Sequence, residues 1–381
     1  MREKSFETSV VHSEHKLDVN SFKSKRTPIY QTSVFSFSDL DELEGYYSGE
    51  NAYLYSRMGN PNTDGLGHTI AQLEGAPAGV AASSGMAAIL AGILVVAKHG
   101  DHIIASEDLY GGTFHLLEKE LKDFGIEVTF VAMEDIESVE QAIQPRTKLL
   151  YSESITNPFL RVENIGNMIE LADKYELTTM IDNTFATPYL LTPFTEGVDL
   201  VVHSATKYIG GHSDVTAGVL VGRESLIQTA RSKIVSLGMN LSPFEAWLAE
   251  RGTKTLALRM KKQSVNAEYV AERLRNHADV EQVYYPAFVS EKGNGAIVSI
   301  KLKDRSDMHK FFAALDWIKI VPSLAGVETS VSYPVATSHR ALSEDQRKKL
   351  GIDDTLVRIS IGIEDEKDIL YQLEAAIDHS L

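Results

Sequence analysis

The chain of 381 residues contains no cysteine. That absence excludes a disulfide framework, a thiolate metal site and a cysteine nucleophile, and it fits a reducing, cytoplasmic setting. Long apolar runs are missing too. Nowhere do 18 apolar residues follow one another, so no membrane-spanning helix is expected. Residues 1–16 are polar and lack an apolar core segment, which argues against a secretory signal. Neither a Gly-x-Ser-x-Gly elbow nor a dinucleotide-type Gly-x-Gly-x-x-Gly loop occurs, which weakens hydrolase and dehydrogenase readings. No His, Asp and Glu spacing marks a metal site. Positive charge is in deficit: 37 Lys and Arg stand against 53 Asp and Glu, a formal charge of −16. An acidic surface argues against nonspecific binding to nucleic acid or to an anionic membrane. It still permits a small anion in a locally basic or amide-rich pocket.

What is present is an ordinary globular composition, 43% apolar and 24% charged, in a chain long enough for two or three domains. Residues 1–60 show little periodicity but are rich in aromatics between Tyr46 and Tyr55, which predicts a stretch pinned against something rather than a loose tail. The acidic run Asp39 to Glu50 reads as a solvated face. From about residue 64 strand and helix signals alternate. Strands are expected at 79–82, 102–105, 128–131, 148–151, 178–181 and 201–202. Helices are expected at 86–96, 113–124, 136–143 and 165–175. Apolar strands alternating with helices predict an α/β domain with a mostly parallel sheet covered on both faces, whose ligands gather at the carboxyl ends of the strands. After Gly222 the pattern changes. A long helical region is expected at 242–276, with Leu248, Leu256 and Leu258 on its apolar face. Strands at 280–285, 295–302 and 355–360 and helices at 308–315 and 368–379 follow, a smaller α+β domain. The expected division is an arm over 1–60, an α/β domain over 61–246 and an α+β domain over 247–381.

The expected strand ends carry a coherent set of groups. Ser83–Ser84–Gly85–Met86 opens a helix, where free backbone N–H groups make an anion site. Tyr110 follows one strand, and Glu153 with Asn157–Pro158 follows another. Asp182 closes a third, where a carboxylate is costly to bury without a partner. Lys207, with Ser204 and Thr206, is expected at the end of the strand beginning at Leu200. Each alone has a bland reading: a tight turn, a turn tyrosine, a cap, a surface lysine. His212 reads as a loop histidine. Together they supply what pyridoxal phosphate (PLP) requires: an amine for its aldehyde, an anion for its ring nitrogen, donors for its phosphate and a face partner for its ring.

Several runs resemble the Cys/Met-metabolism (transsulfuration) family of PLP-dependent enzymes, with the aminotransferase-like fold type I. They are Tyr55–Ser56–Arg57, Ser83–Ser84–Gly85–Met86, Asp108–Leu109–Tyr110–Gly111–Gly112–Thr113, Thr156–Asn157–Pro158, Asp182–Asn183–Thr184, Ser204–Ala205–Thr206–Lys207–Tyr208, Ser323–Leu324 and Val357–Arg358–Ile359–Ser360. The resemblance implies that Lys207 binds the cofactor aldehyde and then moves protons. It implies that Asp182 pairs with the ring nitrogen and that Tyr110 stacks on the ring and takes a proton. Gly85, Met86, Ser204 and Thr206 would hold the phosphate, with Asn157 near the ring hydroxyl. Arg358 would clamp the substrate carboxylate, helped by Ser323. Tyr55 and Arg57 would reach the phosphate of a neighbouring subunit, so a homotetramer, a dimer of dimers with shared sites, is implied. The implied activity is a C–S lyase of sulfur amino acids, first a cystathionine γ-lyase. Cystathionine γ-synthase, methionine γ-lyase and cystathionine β-lyase are the alternatives, and a PLP aminotransferase is an alternative of another class. Gly112 stands where methionine γ-lyases typically carry Cys. Pro322 stands where cystathionine γ-lyases and γ-synthases often carry Glu.

Overall fold

The computed structural model describes residues 4–13, 24–49, 53–337, 340, 347 and 351–381. Seven strands form the first sheet: β1 (Ala78–Ala82), β2 (His102–Ser106), β3 (Glu127–Val131), β4 (Thr147–Glu153), β5 (Thr178–Asp182), β6 (Leu200–His203) and β7 (Gly218–Gly222). They lie in the order β1-β7-β6-β5-β4-β2-β3. All the pairs from β6 to β3 are parallel, and β7 alone runs against both its neighbours. The strands are apolar throughout because both faces are covered. Ala81, Leu150, Ile181, Val201 and Val219 enter one core. Val80, Ala82, Leu149, Met180, Val202 and Leu220 enter the other. This alternation is the period of two of a pleated strand, and each such side chain contributes roughly 1.5–3 kcal/mol on burial. The helix Pro61–Glu74 lies directly on β1: a Cβ on Gly67 would stand 2.7 Å from the Gly79 carbonyl oxygen, so only glycine allows that approach.

A second sheet has five strands: β8 (Val280–Tyr284), β9 (Ile297–Leu302), β10 (Lys319–Ile320), β11 (Ser330–Ser332) and β12 (Leu356–Ser360), in the order β10-β11-β12-β9-β8. It packs on the helices Leu256–Leu274 and Glu366–His379 through Val298, Ile300, Val357 and Ile359. The fold is thus the type I architecture that the sequence implies. β12 matters most here, because it carries Arg358.

Five expectations change. β7 and the helix Glu224–Leu237 were not foreseen in the run after Lys207. The long helical region is two helices, Pro243–Thr253 and Leu256–Leu274. They part where Gly252 abuts the backbone of Gly210, whose carbonyl oxygen would stand 2.1 Å from a Cβ there. Leu258 is 72% exposed and belongs to no core. The N-terminal stretch is more regular than its sequence suggests, with helices Phe6–His12 and Leu40–Ser48, the latter capped by Asp39. The acidic run lies on that second helix, and its last residue, Glu50, falls outside the described residues. Lys207 does not end a strand: β6 stops at His203, and Lys207 sits in the turn beyond it.

Candidate active site

That turn is built from short backbone hydrogen bonds. The Lys207 amide donates to Ser204 O at 3.0 Å, the Gly210 amide to Ala205 O at 2.8 Å and the Gly211 amide to Lys207 O at 2.7 Å. Gly211 takes φ +73°, a left-handed conformation that favours glycine. From the other side Arg259 clamps it. Its guanidinium is buried and donates to the carbonyls of Tyr208 (2.7 Å), Ile209 (3.4 Å) and Gly252 (2.9 Å) and to the Thr255 hydroxyl (3.0 Å). Sequence reading missed Arg259, since nothing in a helical run marks which arginine turns inward.

Lys207 Nζ donates to Ser323 Oγ at 2.8 Å. Burial, reinforced by the nearby Arg358 charge, pushes its ammonium down to about 8. Half or so of this lysine is therefore the free amine near pH 8, a usable nucleophile and base. Arg358 is buried on β12. Its Nη1 donates to Asn157 Oδ1 at 3.0 Å and its Nη2 to Ser323 O at 3.5 Å, while its Nε has no partner among the described residues. Burial lowers its pKa to about 10, so it stays cationic at neutral pH. A buried cation with an unsatisfied N–H is a prepared carboxylate site.

Across the cavity, Asp182 closes β5. Its Oδ1 accepts the Thr184 amide at 3.0 Å and the Thr184 hydroxyl at 2.5 Å. Burial raises its pKa and the two Thr184 bonds oppose that rise. Thr184 Oγ1 also accepts the Ser204 amide at 2.8 Å, which ties the end of β5 to the Lys207 turn. Ser204 lies against Gly85 so closely that a Cβ on Gly85 would meet the Ser204 Cβ at 2.8 Å. Gly85 begins the helix Gly85–Val96, and the Ser84 hydroxyl satisfies the Ala87 amide at 3.1 Å. The Gly85 and Met86 amides have no acceptor within the helix. Thr206 spends its hydroxyl on Ala217, donating to its carbonyl at 3.2 Å and accepting its amide at 3.0 Å. Tyr110 is 45% exposed at the start of the helix Gly111–His115, and its amide donates to Glu153 Oε1 at 2.7 Å.

These groups surround one cavity of about 410 Å³, lined among others by Gly85, Met86, Tyr110, Asn157, Asp182, Ser204, Thr206, Lys207 and Arg358. Ser323 touches it through Lys207 and Arg358 rather than as a wall. Tyr55 and Arg57 are elsewhere. Arg57 donates to Val235 O at 3.0 Å and lies over the Tyr55 ring, outside the cavity of their own chain. His212 turns its Nδ1 to Gly210 O and does not line the cavity. Glu153, Phe185 and Pro322 line it with no role foreseen for them. The signal for Glu153 was available, since a carboxylate closing an apolar strand is the same clue that marks Asp182. Among the described residues, no group of His, Asp and Glu could hold a metal ion and no helix is long and apolar enough to cross a membrane.

The set fits PLP: two helix-start amides and a side-chain-free approach for a phosphate, a half-buried carboxyl for the ring nitrogen, and an amine of lowered pKa for the aldehyde. The approach at Gly85 gives a direct check. In Gly85→Ala the new methyl crowds Ser204, and overpacking of this kind costs roughly 1–3 kcal/mol. Titration of the apoprotein with PLP should give a dissociation constant raised by about tenfold or more. An unchanged constant would mean that Ser204 yields and that the phosphate is not held there.

Comparison with known proteins points to the same cofactor. The profile of the family described as Cys/Met metabolism PLP-dependent enzyme matches residues 7–378. An L-methionine gamma-lyase of Porphyromonas gingivalis is 40% identical over 376 aligned positions, an alignment that covers 94% of each chain. A cystathionine beta-lyase of Lactococcus lactis is 37% identical over 385 aligned positions, an alignment that covers 98% of this chain and 99% of that one. The crystal structure of cystathionine gamma-lyase from Lactobacillus plantarum, complexed with L-serine, has a TM-score of 0.92 at 37% identity and covers 99% of both chains.

Proposed function

Because the chain belongs to the Cys/Met-metabolism family of PLP-dependent enzymes, we propose that it is a C–S lyase that takes cystathionine and water to cysteine, α-ketobutyrate and ammonia. The observation that carries this reading is the bridge at Ser323, whose hydroxyl accepts Lys207 and whose carbonyl accepts Arg358. It supports the reading because it brings an amine and a guanidinium to one residue, where a base and a carboxylate clamp would serve the same α-amino acid.

Bound PLP supplies an aldehyde for the amino group and an electron-poor ring that draws charge from Cα. Asp182 keeps the ring nitrogen protonated, and Thr184 holds the aspartate in place. Gly85, Met86 and Ser204 hold the phosphate, and Thr206, foreseen with them, joins only if its hydroxyl gives up the Ala217 carbonyl. Arg358 fixes the substrate carboxylate, and Asn157 fixes Arg358. Lys207 would take the proton from Cα, release it and only then take one from Cβ, which can go to the departing sulfur, and Tyr110 would take a proton from the incoming amino group. Tyr55 and Arg57, exposed and outside their own cavity, complete the phosphate site of a neighbouring copy in a homotetramer. The division into an arm over 1–60, an α/β domain over 61–246 and an α+β domain over 247–381 belongs to the same reading, as does a cytoplasmic location.

Pro322 favours a second reading. Among the described residues the cavity's carboxyls are Glu153 and Asp182, and both stand at the strand ends of the first sheet. Pro322, on the wall beside Ser323, offers no anion for the distal ammonium of cystathionine. That favours a thioether without a second charge, as methionine γ-lyase would use. Product analysis decides between them. Cysteine and α-ketobutyrate from cystathionine establish the first reading. Methanethiol and α-ketobutyrate from methionine, with cystathionine untouched, establish the second. Homocysteine and pyruvate, or cystathionine made from an activated homoserine ester and cysteine, would replace both.

A further inference from the structure

Two carboxyls face the cavity, and only Asp182 has a task in the reading above. Glu153 closes β4 and stands directly across from Asp182 in the β4–β5 register. Facing residues on neighbouring strands share a side of the sheet, and their backbones are about 4.8 Å apart. Glu153 is only 6% exposed. Its one hydrogen bond among the described residues comes from the Tyr110 amide to Oε1.

No cation is bonded to it there. Arg161, on the near side, is turned to Asp108, Glu163 and Glu134. Lys207 is turned to Ser323, and Arg358 to Asn157 and Ser323. The other titratable groups that face it are Asp108 and the buried Tyr151. A buried and a half-buried carboxylate one strand apart cannot both ionise cheaply. Asp182 has two Thr184 donors that favour its charged form, whereas Glu153 has a single amide. The one shared proton therefore goes to Glu153. Burial and the Asp182 charge hold its carboxyl well above the usual carboxylate range.

We propose that Glu153 is a neutral carboxylic acid and a positioning residue, anchoring Tyr110 by its amide and leaving Asp182 as the only full negative charge among the described residues that line the cavity. The roles of Tyr110 and Asp182 rest on the proposed function, but the protonation of Glu153 can be tested without it. Infrared spectra of the apoprotein at pH 7 should show a protonated-carboxyl C=O band that Glu153→Gln removes and that shifts in heavy water. Loss of no such band in Glu153→Gln, or its loss in Asp182→Asn instead, overturns the proposal. In the PLP-loaded protein, swapping a neutral acid for a neutral amide should leave the pH midpoint of the cofactor absorbance in place. A shift of about one unit, equivalent to about 1.4 kcal/mol of lost charge interaction, would show Glu153 to be ionised. If Glu153→Gln does not fold, the wild-type band decides. It must be present at pH 7 and must titrate at lower pH in Asp182→Asn, where the neighbouring charge is gone. Absence of the band in the wild type overturns the proposal equally. A failure of the lyase reading would appear in the product analysis and leave these spectra unchanged.

Discussion

Lys207→Ala protein loaded with PLP is expected to lack the visible absorbance of the wild type and to lose about 10⁴-fold in kcat/KM, the upper end of what one positioned acid–base group supplies. The size follows from the two tasks this amine combines. It is the only side-chain amine lining the cavity among the described residues, so nothing nearby replaces it as the partner of the cofactor aldehyde or as the proton carrier. Its pKa of about 8 adds a pH signature. The ammonium is inert and the free amine reacts. Uptake of PLP by the wild-type apoprotein should therefore rise about tenfold per pH unit below 8 and level off above it. Stopped-flow absorbance measures this directly. Uptake flat between pH 6 and 9 would mean that Lys207 is not buried as described. Residual visible absorbance in Lys207→Ala would assign the aldehyde to another amine.

The sequence made the parallel strands legible because both faces of that sheet are covered, which turns each strand into a short continuous apolar run. β7 has the same character, Gly218–Val219–Leu220–Val221–Gly222, yet its direction depends on how the chain returns from the Lys207 turn, a tertiary matter. β10 and β11 are two and three residues long; β11 exists because β12 offers it a ladder, and β10 because β11 does. At the site, the residue types that carry chemistry could be read one by one. What holds them could not. The grip of Arg259 on the Lys207 turn spans some fifty residues of chain, and the pairing of Glu153 with Asp182 requires the strand register. Tyr55 and Arg57 mark the limit in another way. Their sequence context points to a phosphate, while the fold of one chain sets them on its own surface against Val235. Motif reading reaches the chemistry but not the subunit that receives it.

Arg358 should show the second large effect, mainly in KM. Its guanidinium is buried, shared between Asn157 and Ser323, and left with Nε unpaired among the described residues. A substrate carboxylate would complete that set with charge-assisted bonds. Removing one member of a buried, hydrogen-bonded charge pair costs 2–5 kcal/mol or more, so Arg358→Ala should lower kcat/KM by roughly 10²–10³-fold. Arg358→Lys keeps the charge but loses the planar fork that serves Asn157, Ser323 and the ligand at once. It should recover less than about tenfold of that loss. The decisive control is a substrate analogue with the carboxylate removed. If Arg358 binds that carboxylate, the decarboxylated amine should bind wild type and Arg358→Ala with similar affinity, whereas the amino acid separates them by at least about a hundredfold. Equal weakening of both ligands in Arg358→Ala would mean that Arg358 only supports Asn157 and the Ser323 loop, and the clamp would have to be sought elsewhere on the cavity wall.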